Sequence, residues 1–196
     1  MKTFLCAVTI LGWGFFAHGS TVFYFTSSPT SWIGQGLTRT ITPATEYRFD
    51  VELPGNDLDV FIGTTNLSDW WSLDFQAPNG AELADGLYTN VQVYPFQQSG
   101  HPGLAFKGDS RANASVTGWF QVLDYSEING VVVSAAVDFV QYDDGALAEW
   151  NFGSFRYNSD IPLTIVPEPT SMVLLGSSLF LWRARRASLG RVNLNH

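Results

Sequence analysis

The chain has 196 residues, of which 45% are hydrophobic and 14% are charged, and its formal net charge is −8. This composition favours one globular domain and argues against a coiled coil, a disordered chain or a nucleic-acid partner held by phosphate contacts. The single cysteine, Cys6, excludes zinc ribbons, iron–sulfur centres and internal disulfides.

Residues 1–19 have the features of a secretory signal peptide. Lys2 gives a positively charged start, and an apolar stretch follows from Phe4 to Phe16. The sequence Ala17-His18-Gly19 then offers small residues at the two positions that signal peptidase reads. We therefore predict a helical export signal that signal peptidase removes together with Cys6.

The segment 20–166 is predicted to be an all-β domain. In Glu46–Leu53, for example, Tyr47, Phe49 and Val51 alternate with charged residues, as in a strand with one buried face. Turn-forming residues separate the predicted strands, which are Thr21–Phe25, Glu46–Leu53, Leu58–Ile62, Trp71–Phe75, Tyr88–Tyr94, Ser115–Leu123, Gly130–Gln141 and Trp150–Tyr157. Many short strands in a chain of this length indicate one antiparallel β-sandwich.

Three further expectations concern the same domain. The apolar run 131–133 predicts a strand that starts with both faces buried. The segment Ala146–Trp150 is the one short stretch with helical spacing. Trp119 and Trp150 lie within apolar runs, and we expect both to fill the core.

The C-terminal region combines three features in a fixed order. Val166-Pro167-Glu168-Pro169 is a stretch that two prolines keep extended. An uncharged apolar segment follows over 171–182, and Arg183, Arg185 and Arg186 come directly after it. Apolar segments enter bilayers, whereas arginine clusters stay on the cytoplasmic side. We predict a short transmembrane helix over 171–182 with a basic tail.

This order resembles the PEP-CTERM sorting signal of Gram-negative bacteria, which membrane proteases called exosortases recognise. The resemblance covers 167–196 and implies processing near Pro167-Glu168-Pro169, transient anchoring in the inner membrane, and an association with exopolysaccharide. The implied destination is the cell envelope, the outer surface or the extracellular matrix. As a helix, 171–182 covers about 18 Å of a hydrocarbon core of about 30 Å. Processing and permanent anchoring therefore stay open as alternatives.

A second resemblance lies within the body of the chain. Leu83-x-x-Gly86-x-Tyr88, Pro102-Gly103-Leu104 and Gly118-x-Phe120-x-Val122 are similar to a secreted bacterial domain whose activity is not established. Members of that group carry cysteines where this chain has Ala112 and Tyr142. The resemblance implies a β-sandwich without the disulfide, and it implies no chemistry.

Two sets of residues are candidates for binding a ligand. Trp70 and Trp71 are neighbours on a predicted strand and point to opposite faces, so one of them is expected to be exposed for stacking on a sugar ring. Calcium is the one ion that the sequence favours, and no other cofactor is expected. Its candidate ligands are the loop carboxylates Asp57, Asp59, Asp143 and Asp144, for which plain turn formation is the alternative interpretation.

Catalytic chemistry has little support in the sequence. His101 is the one histidine of the body, it lies in a turn-rich loop, and no G-x-S-x-G elbow is present. Glycoside hydrolysis needs a pair of carboxylates, and the candidates are Asp57, Asp59, Asp124, Glu127, Asp138 and Glu149. Nothing in the sequence selects a pair, and a solvated acidic surface explains these residues equally well. We expect the chain not to be an enzyme.

Together these features predict a secreted or envelope-associated structural or interaction protein of the extracellular polysaccharide matrix. The alternatives are a carbohydrate-binding module that uses exposed tryptophans and, with less support, a secreted glycosidase. The expected partners are signal peptidase and exosortase for processing, the membrane through the C-terminal segment, and extracellular polysaccharide. A nucleic-acid partner is not expected because the body is strongly acidic.

Overall fold

The computed structural model describes residues 19–43, 46–53 and 56–165. Within these residues, eleven strands form two sheets, and one 3-10 turn covers Pro78–Gly80. The predicted all-β fold is thereby confirmed. Residues 1–18 of the signal peptide predicted over 1–19 lie outside the described residues, as do the sorting motif, the transmembrane segment and the arginine cluster.

Sheet A consists of β1 (Ser20–Ser27), β2 (Thr38–Ile41), β6 (Gly86–Thr89), β9 (Val116–Ile128), β10 (Val131–Asp143) and β11 (Trp150–Ser159). All its pairs are antiparallel, and the order is β2-β1-β11-β10-β9-β6. The first and last strands of the described chain pair in the middle of this sheet, with Phe23 opposite Phe155. The sheet is therefore complete only when both ends of the domain are in place.

Sheet B consists of β3 (Tyr47–Glu52), β4 (Asp57–Thr64), β5 (Trp70–Gln76), β7 (Gln92–Val93) and β8 (Gly103–Gly108), in the order β3-β4-β5-β8-β7. Its pairs are antiparallel except for the edge pair of β7 and β8, which is parallel. The sandwich is thus mixed at one edge, whereas the sequence predicted a wholly antiparallel fold.

The core lies between the two sheets and is rich in aromatic rings. Phe25 of sheet A contacts Trp71 of sheet B with ring centroids 4.5 Å apart, and Phe75 of sheet B lies 5.3 Å from Phe120 of sheet A. Alternation along the strands produces this layer: Leu58, Val60 and Ile62 of β4 are fully buried, and the residues between them face outward. The outer faces of both sheets are therefore free to carry polar and binding residues.

All the predicted strands are present in the structure, but one of them is divided into two, and two observed strands were not predicted. Tyr88–Tyr94 does not form one strand, because the chain crosses here from β6 in sheet A to β7 in sheet B. Strands β2 and β8 were not predicted. The sequence of β8 begins and ends with glycine and is only six residues long, so its pattern is typical of a loop.

Two of the local expectations are wrong. Val131 and Val133 are 65% and 41% exposed, because they lie at the hairpin end of β10 next to the turn from β9. The segment Ala146–Trp150 is not helical. Residues 146–149 belong to the turn between β10 and β11, in which the amide of Ala146 donates to the carbonyl of Asp143 at 2.9 Å, and Trp150 begins β11.

A buried ion pair holds the end of the described chain against the outer face of sheet A. Arg156 is fully buried, and its Nη1 lies 2.9 Å from Oδ1 of Asp138. The same guanidinium donates to the carbonyls of Ile161 and Pro162, at 3.0 Å from Nε and 2.7 Å from Nη2. Thr164 donates to Oδ2 of Asp138 at 2.5 Å. We call residues 160–165 the C-terminal strap.

Candidate functional site

The outer face of sheet B carries a row of three carboxylates on neighbouring strands. Asp59 of β4 lies opposite Glu52 of β3 on one side and opposite Asp74 of β5 on the other. Side chains at directly opposite positions of antiparallel strands have Cβ atoms about 5 Å apart. We call Glu52, Asp59 and Asp74 the acidic row. Three acids at this spacing repel one another when all are charged.

The electrostatics of the acidic row follow from burial and from one lysine. Asp74 is 3% exposed, and Nζ of Lys107 on β8 lies 2.9 Å from its Oδ2. Burial raises the pKa of Asp74, and the hydrogen bond and charge of Lys107 oppose that rise. Burial also raises the pKa of Asp59, and the charge of Asp74 adds to the increase. Asp59, which is partly exposed, therefore loses its proton less readily than an ordinary aspartate.

Asp57 continues the polar surface at the end of β4. Its Oδ1 accepts a hydrogen bond from Nε2 of Gln76 at 2.5 Å, and its Oδ2 accepts one from the hydroxyl of Tyr94. Burial raises the pKa of the Tyr94 hydroxyl, and the hydrogen bond to Asp57 raises it further. Asp57 is therefore already bound by protein donors, and Asp59 is the neighbouring carboxylate on the same face that is partly exposed.

An aromatic platform lies beside the acidic row. The rings of Phe61 and Trp70 are stacked, with centroids 6.1 Å apart and planes inclined by 18°. The Phe61 ring lies over Gly63, where an added Cβ would come within 2.7 Å of its Cε1. The guanidinium of Arg48 lies 5.4 Å from the centroid of the Phe61 ring. We call Phe61 and Trp70 the aromatic platform. Both side chains are partly exposed.

Asp69 fixes the chain immediately before the platform. Nη1 of Arg39 donates to its Oδ1 at 2.9 Å, the hydroxyl of Tyr47 donates to its Oδ2 at 2.5 Å, and Nε1 of Trp71 donates to its Oδ1 at 3.0 Å. Burial disfavours the charge on Asp69, but the hydrogen bonds from Arg39 and Tyr47 outweigh it and lower the pKa of Asp69. The start of β5, and with it Trp70, is thus held in one position.

A shallow polar cleft opens at the same end of sheet B. It has a volume of about 440 Å³ and is lined by Glu46, Thr64, Thr65, Asn66 and Ser68. Thr64 follows Gly63 on β4, so the cleft adjoins the strand positions that carry the aromatic platform. A long ligand on the platform would meet these hydroxyl and amide groups next.

The predicted tryptophan pair divides between the two faces of β5, as neighbours on a strand do. Trp71 is fully buried in the core, and Trp70 is the partly exposed member on the outer face. The prediction that Trp119 and Trp150 fill the core is wrong. Both lie on the outer face of sheet A and are partly exposed, because Phe120 and Asn151 take the inward positions.

The four predicted calcium ligands lie at two separate places. Asp57 and Asp59 are on β4 of sheet B, whereas Asp143 ends β10 of sheet A and Asp144 follows it in an exposed turn. Among the described residues, no three His, Cys, Asp or Glu side chains are grouped so as to hold a metal. Calcium binding stays a prediction.

Asp143 is the centre of a buried hydrogen-bond network. Oδ2 accepts from the hydroxyl of Ser31 at 2.7 Å and from the amide of Ile33 at 3.2 Å. Oδ1 accepts from Nδ2 of Asn113 at 2.6 Å and from Nδ2 of Asn151 at 2.8 Å. The side chain is fully buried. The Asp143 carboxylate therefore joins three segments of the chain to the end of β10.

The candidate catalytic residues are brought together only in part. Asp57 and Asp59 share the outer face of β4, whereas Asp124, Glu127, Asp138 and Glu149 lie on or beside the strands of sheet A. Nδ1 of His101 lies 2.9 Å from the carbonyl of Asn90, so this histidine is part of a loop contact. Asp74 and Phe61 were missed by the sequence interpretation. The alternation of β4 and β5 contained the signal, since both residues occupy outward positions.

In the part of the chain that the structure describes, no helix is long and apolar enough to cross a membrane. Val166, Pro167, Glu168 and Pro169, and the cluster of Arg183, Arg185 and Arg186, lie outside that part. No protein-family model, no curated protein and no solved structure matches the chain. A role for this chain is therefore inferred from the chemistry of the chain's own residues.

Proposed function

We propose that this chain is an exported, non-enzymatic interaction protein of an extracellular polysaccharide matrix, and that the outer face of sheet B binds the polysaccharide. The aromatic platform of Phe61 and Trp70 is the observation that carries the proposal. Two stacked, partly exposed rings on a rigid strand pair offer apolar faces to the C–H groups of a sugar ring. Exposed aromatic pairs of this kind have no packing role within the core.

The neighbouring polar groups support the same assignment. Asp59 lies two residues from Phe61 on β4, which is a distance of about 7 Å along a strand. Ser72 lies directly opposite Phe61 on β5. A sugar ring stacked on the platform would therefore have a carboxylate and a hydroxyl within reach of its own hydroxyl groups. Such groups fix the orientation of a bound sugar, and the carboxylates disfavour an anionic one.

Trp70→Ala is expected to weaken polysaccharide binding by at least about tenfold, because truncated aromatic anchors are the costliest losses at binding surfaces. Retardation of the full chain in affinity gels would be measured with a neutral glucan, with cationic chitosan and with anionic alginate. Gly63→Ala should weaken binding as well, since the added Cβ displaces the Phe61 ring.

Trp32→Ala is the matched control, because Trp32 is 54% exposed and is not part of the platform. Equal retardation of the wild-type chain, Trp70→Ala and Trp32→Ala would contradict binding at the platform. Retardation by alginate alone would contradict the role of the acidic row.

A glycosidase is the second candidate, because Asp59 and Asp74 face each other across β4 and β5. Binding without hydrolysis is the stronger proposal, since Asp74 is 3% exposed and is paired with Lys107. A buried carboxylate in an ion pair has no direct access to a glycosidic bond. Release of sugar from the same polysaccharides, lost in Asp59→Asn, would favour the hydrolase instead.

The export part of the proposal rests on the two ends of the chain. We propose that signal peptidase cleaves near Ser20 and that an exosortase processes the chain near Pro167-Glu168-Pro169, after transient anchoring through 171–182. In its own host, the protein is expected outside the inner membrane with an intact mass that corresponds to this processed form. A full-length C-terminus retained in the inner membrane would contradict sorting and would make 171–182 a permanent anchor.

A further inference from the structure

A second cavity lies at the edge of the sandwich, where the short strand β7 ends. It has a volume of about 210 Å³ and is lined by residues after β7, in β8 and at the start of β9. Because β7 pairs only with Gly103 and Leu104, it leaves 105–107 of β8 without a strand neighbour on that side. Gln141 of sheet A takes this place: its Oε1 accepts from the amide of Phe106 at 2.8 Å, and its Nε2 donates to the carbonyl of Phe106 at 3.1 Å. The edge of sheet B is therefore completed by a side-chain amide, and the cavity lies beside it.

One buried acceptor in the lining of this cavity has no partner in the described part of the chain. It is Oδ1 of Asn113, a residue that precedes β9. The orientation of its amide is fixed, because Nδ2 donates to Oδ1 of Asp143 at 2.6 Å and a reversed amide would set two oxygens against each other. A buried acceptor without a donor is costly. A molecule in the cavity that carries a hydroxyl or an N–H group would remove that cost.

The other groups of the lining define the character of such a molecule. Val93 and Val116 supply apolar walls, and Phe96 is 81% exposed, so its ring lies at the opening. Lys107, the one charged residue among the described residues of the lining, is already paired with Asp74 at 2.9 Å. The cavity therefore suits a compact, neutral molecule that has an apolar face and a donor group. A sugar ring has both.

The cavity lies at the end of a row of outward positions that begins at the aromatic platform. Phe61 is directly opposite Ser72, and Ser72 is directly opposite Lys107, which lines the cavity. Neighbouring strands are about 4.8 Å apart, so Lys107 lies about 10 Å from Phe61 across the sheet. A polysaccharide that crosses the strands from the platform would thus reach the cavity after a short stretch of chain.

We propose that the cavity beside Asn113 is a second sugar subsite, which takes one neutral pyranose ring at the end or at a branch of the polysaccharide. A hydroxyl of the ring donates to Oδ1 of Asn113, and an apolar face of the ring packs against Val93 and Val116. The identity of the ligand rests on the proposed function, since the ring belongs to the polysaccharide that binds the platform. A single free ring has the same groups, so the cavity can be tested apart from the platform.

Titration of the full chain with methyl glucoside, a neutral pyranose, in a sugar-free detergent tests the cavity directly. NMR would follow the side-chain amide of Asn113 and the methyl groups of Val93 and Val116, with the indole N–H of Trp70 as the signal of the platform. We expect the cavity signals to saturate with a dissociation constant on the order of a few millimolar, as for a ligand of about a dozen heavy atoms. Anionic glucuronate, and cyclohexanone as a ring without a donor, should bind at least about tenfold more weakly.

Ala112→Phe is expected to weaken methyl glucoside binding at least about tenfold, because Ala112 is an exposed residue of the lining and the larger side chain fills the cavity. Ala114→Phe is the matched control, since Ala114 is also exposed in the same loop but does not line the cavity. Its dissociation constant should change by less than about twofold. The titration of the unchanged chain decides the question even if Ala112→Phe does not fold.

Three results would overturn the proposal. Cavity signals that do not saturate with methyl glucoside would show that no ring binds there. Equal or tighter binding of glucuronate or cyclohexanone would contradict a neutral ring that donates to Asn113. Unchanged binding in Ala112→Phe would place the ring elsewhere. The platform is tested separately: full retardation of Trp70→Ala in the affinity gels, with cavity signals that still saturate, would contradict the platform and leave the cavity in place.

Discussion

Replacing Arg156 by methionine is expected to lower the free energy of unfolding by about 3–5 kcal/mol, because one partner of a buried ion pair is removed and the other stays charged. Arg156 is fully buried and donates to Asp138 and to the carbonyls of Ile161 and Pro162. The substitution keeps the length and apolar character of the side chain but removes all of these donors. Urea unfolding of the full chain would measure the loss.

Two further variants distinguish the effect of burial from the effect of charge on the free energy of unfolding. Arg48→Met removes a guanidinium that pairs with Asp50 at 3.1 Å but is 59% exposed, so its expected cost is below about 1 kcal/mol. The double variant Arg156→Met with Asp138→Leu should recover part of the stability, since no unpaired charge remains buried. Equal losses in Arg156→Met and Arg48→Met would contradict a structural role for the buried pair.

Asp143→Asn is expected to cost about 3–4 kcal/mol, although it changes a single atom of the side chain. The new amide NH₂ replaces an acceptor, and whichever way it turns it faces donors: Asn113 and Asn151 at one oxygen position, Ser31 and Ile33 at the other. Buried donors without an acceptor carry the full cost of lost hydration.

The neighbouring residue provides the control for this prediction. Asp144→Asn makes the same change in an exposed side chain, and asparagine tolerates the positive φ of 48° at this position. Its expected effect is within about 0.5 kcal/mol. Thermal or urea unfolding of both variants would test the difference. Similar stabilities would show that the Asp143 network adds little to the fold.

Periodicity within each strand was sufficient to predict much of the fold. The alternation in β5 predicted that one of Trp70 and Trp71 is exposed, and the structure has Trp70 partly exposed and Trp71 in the core. Alternation did not decide Trp119, because it is followed by the equally apolar Phe120. Where two neighbours are both hydrophobic, the strand pattern allows either to face inward, and only the packing of the opposite sheet selects one.

The candidate site depended on contacts between distant parts of the chain. Asp59 and Asp74 became neighbours through the register of β4 and β5, and Lys107 joined them through the pairing of β5 with β8. Register is set by the turn and by the whole buried face, so no local motif contained it. The sequence indicated Asp57 and Asp59 as candidate calcium ligands, but it did not show which side chains lie next to them.

The sequence by itself determined the all-β fold and the order of features at the two ends, because both depend on residue type at short spacing. Only the tertiary structure decided that Asp143 joins buried donors from distant segments and that Arg156 holds the C-terminal strap. These arrangements need groups separated by up to 112 residues in the chain to meet. The physical reason is that hydrogen bonds to a buried carboxylate form wherever folding brings a donor, whatever its position in the sequence.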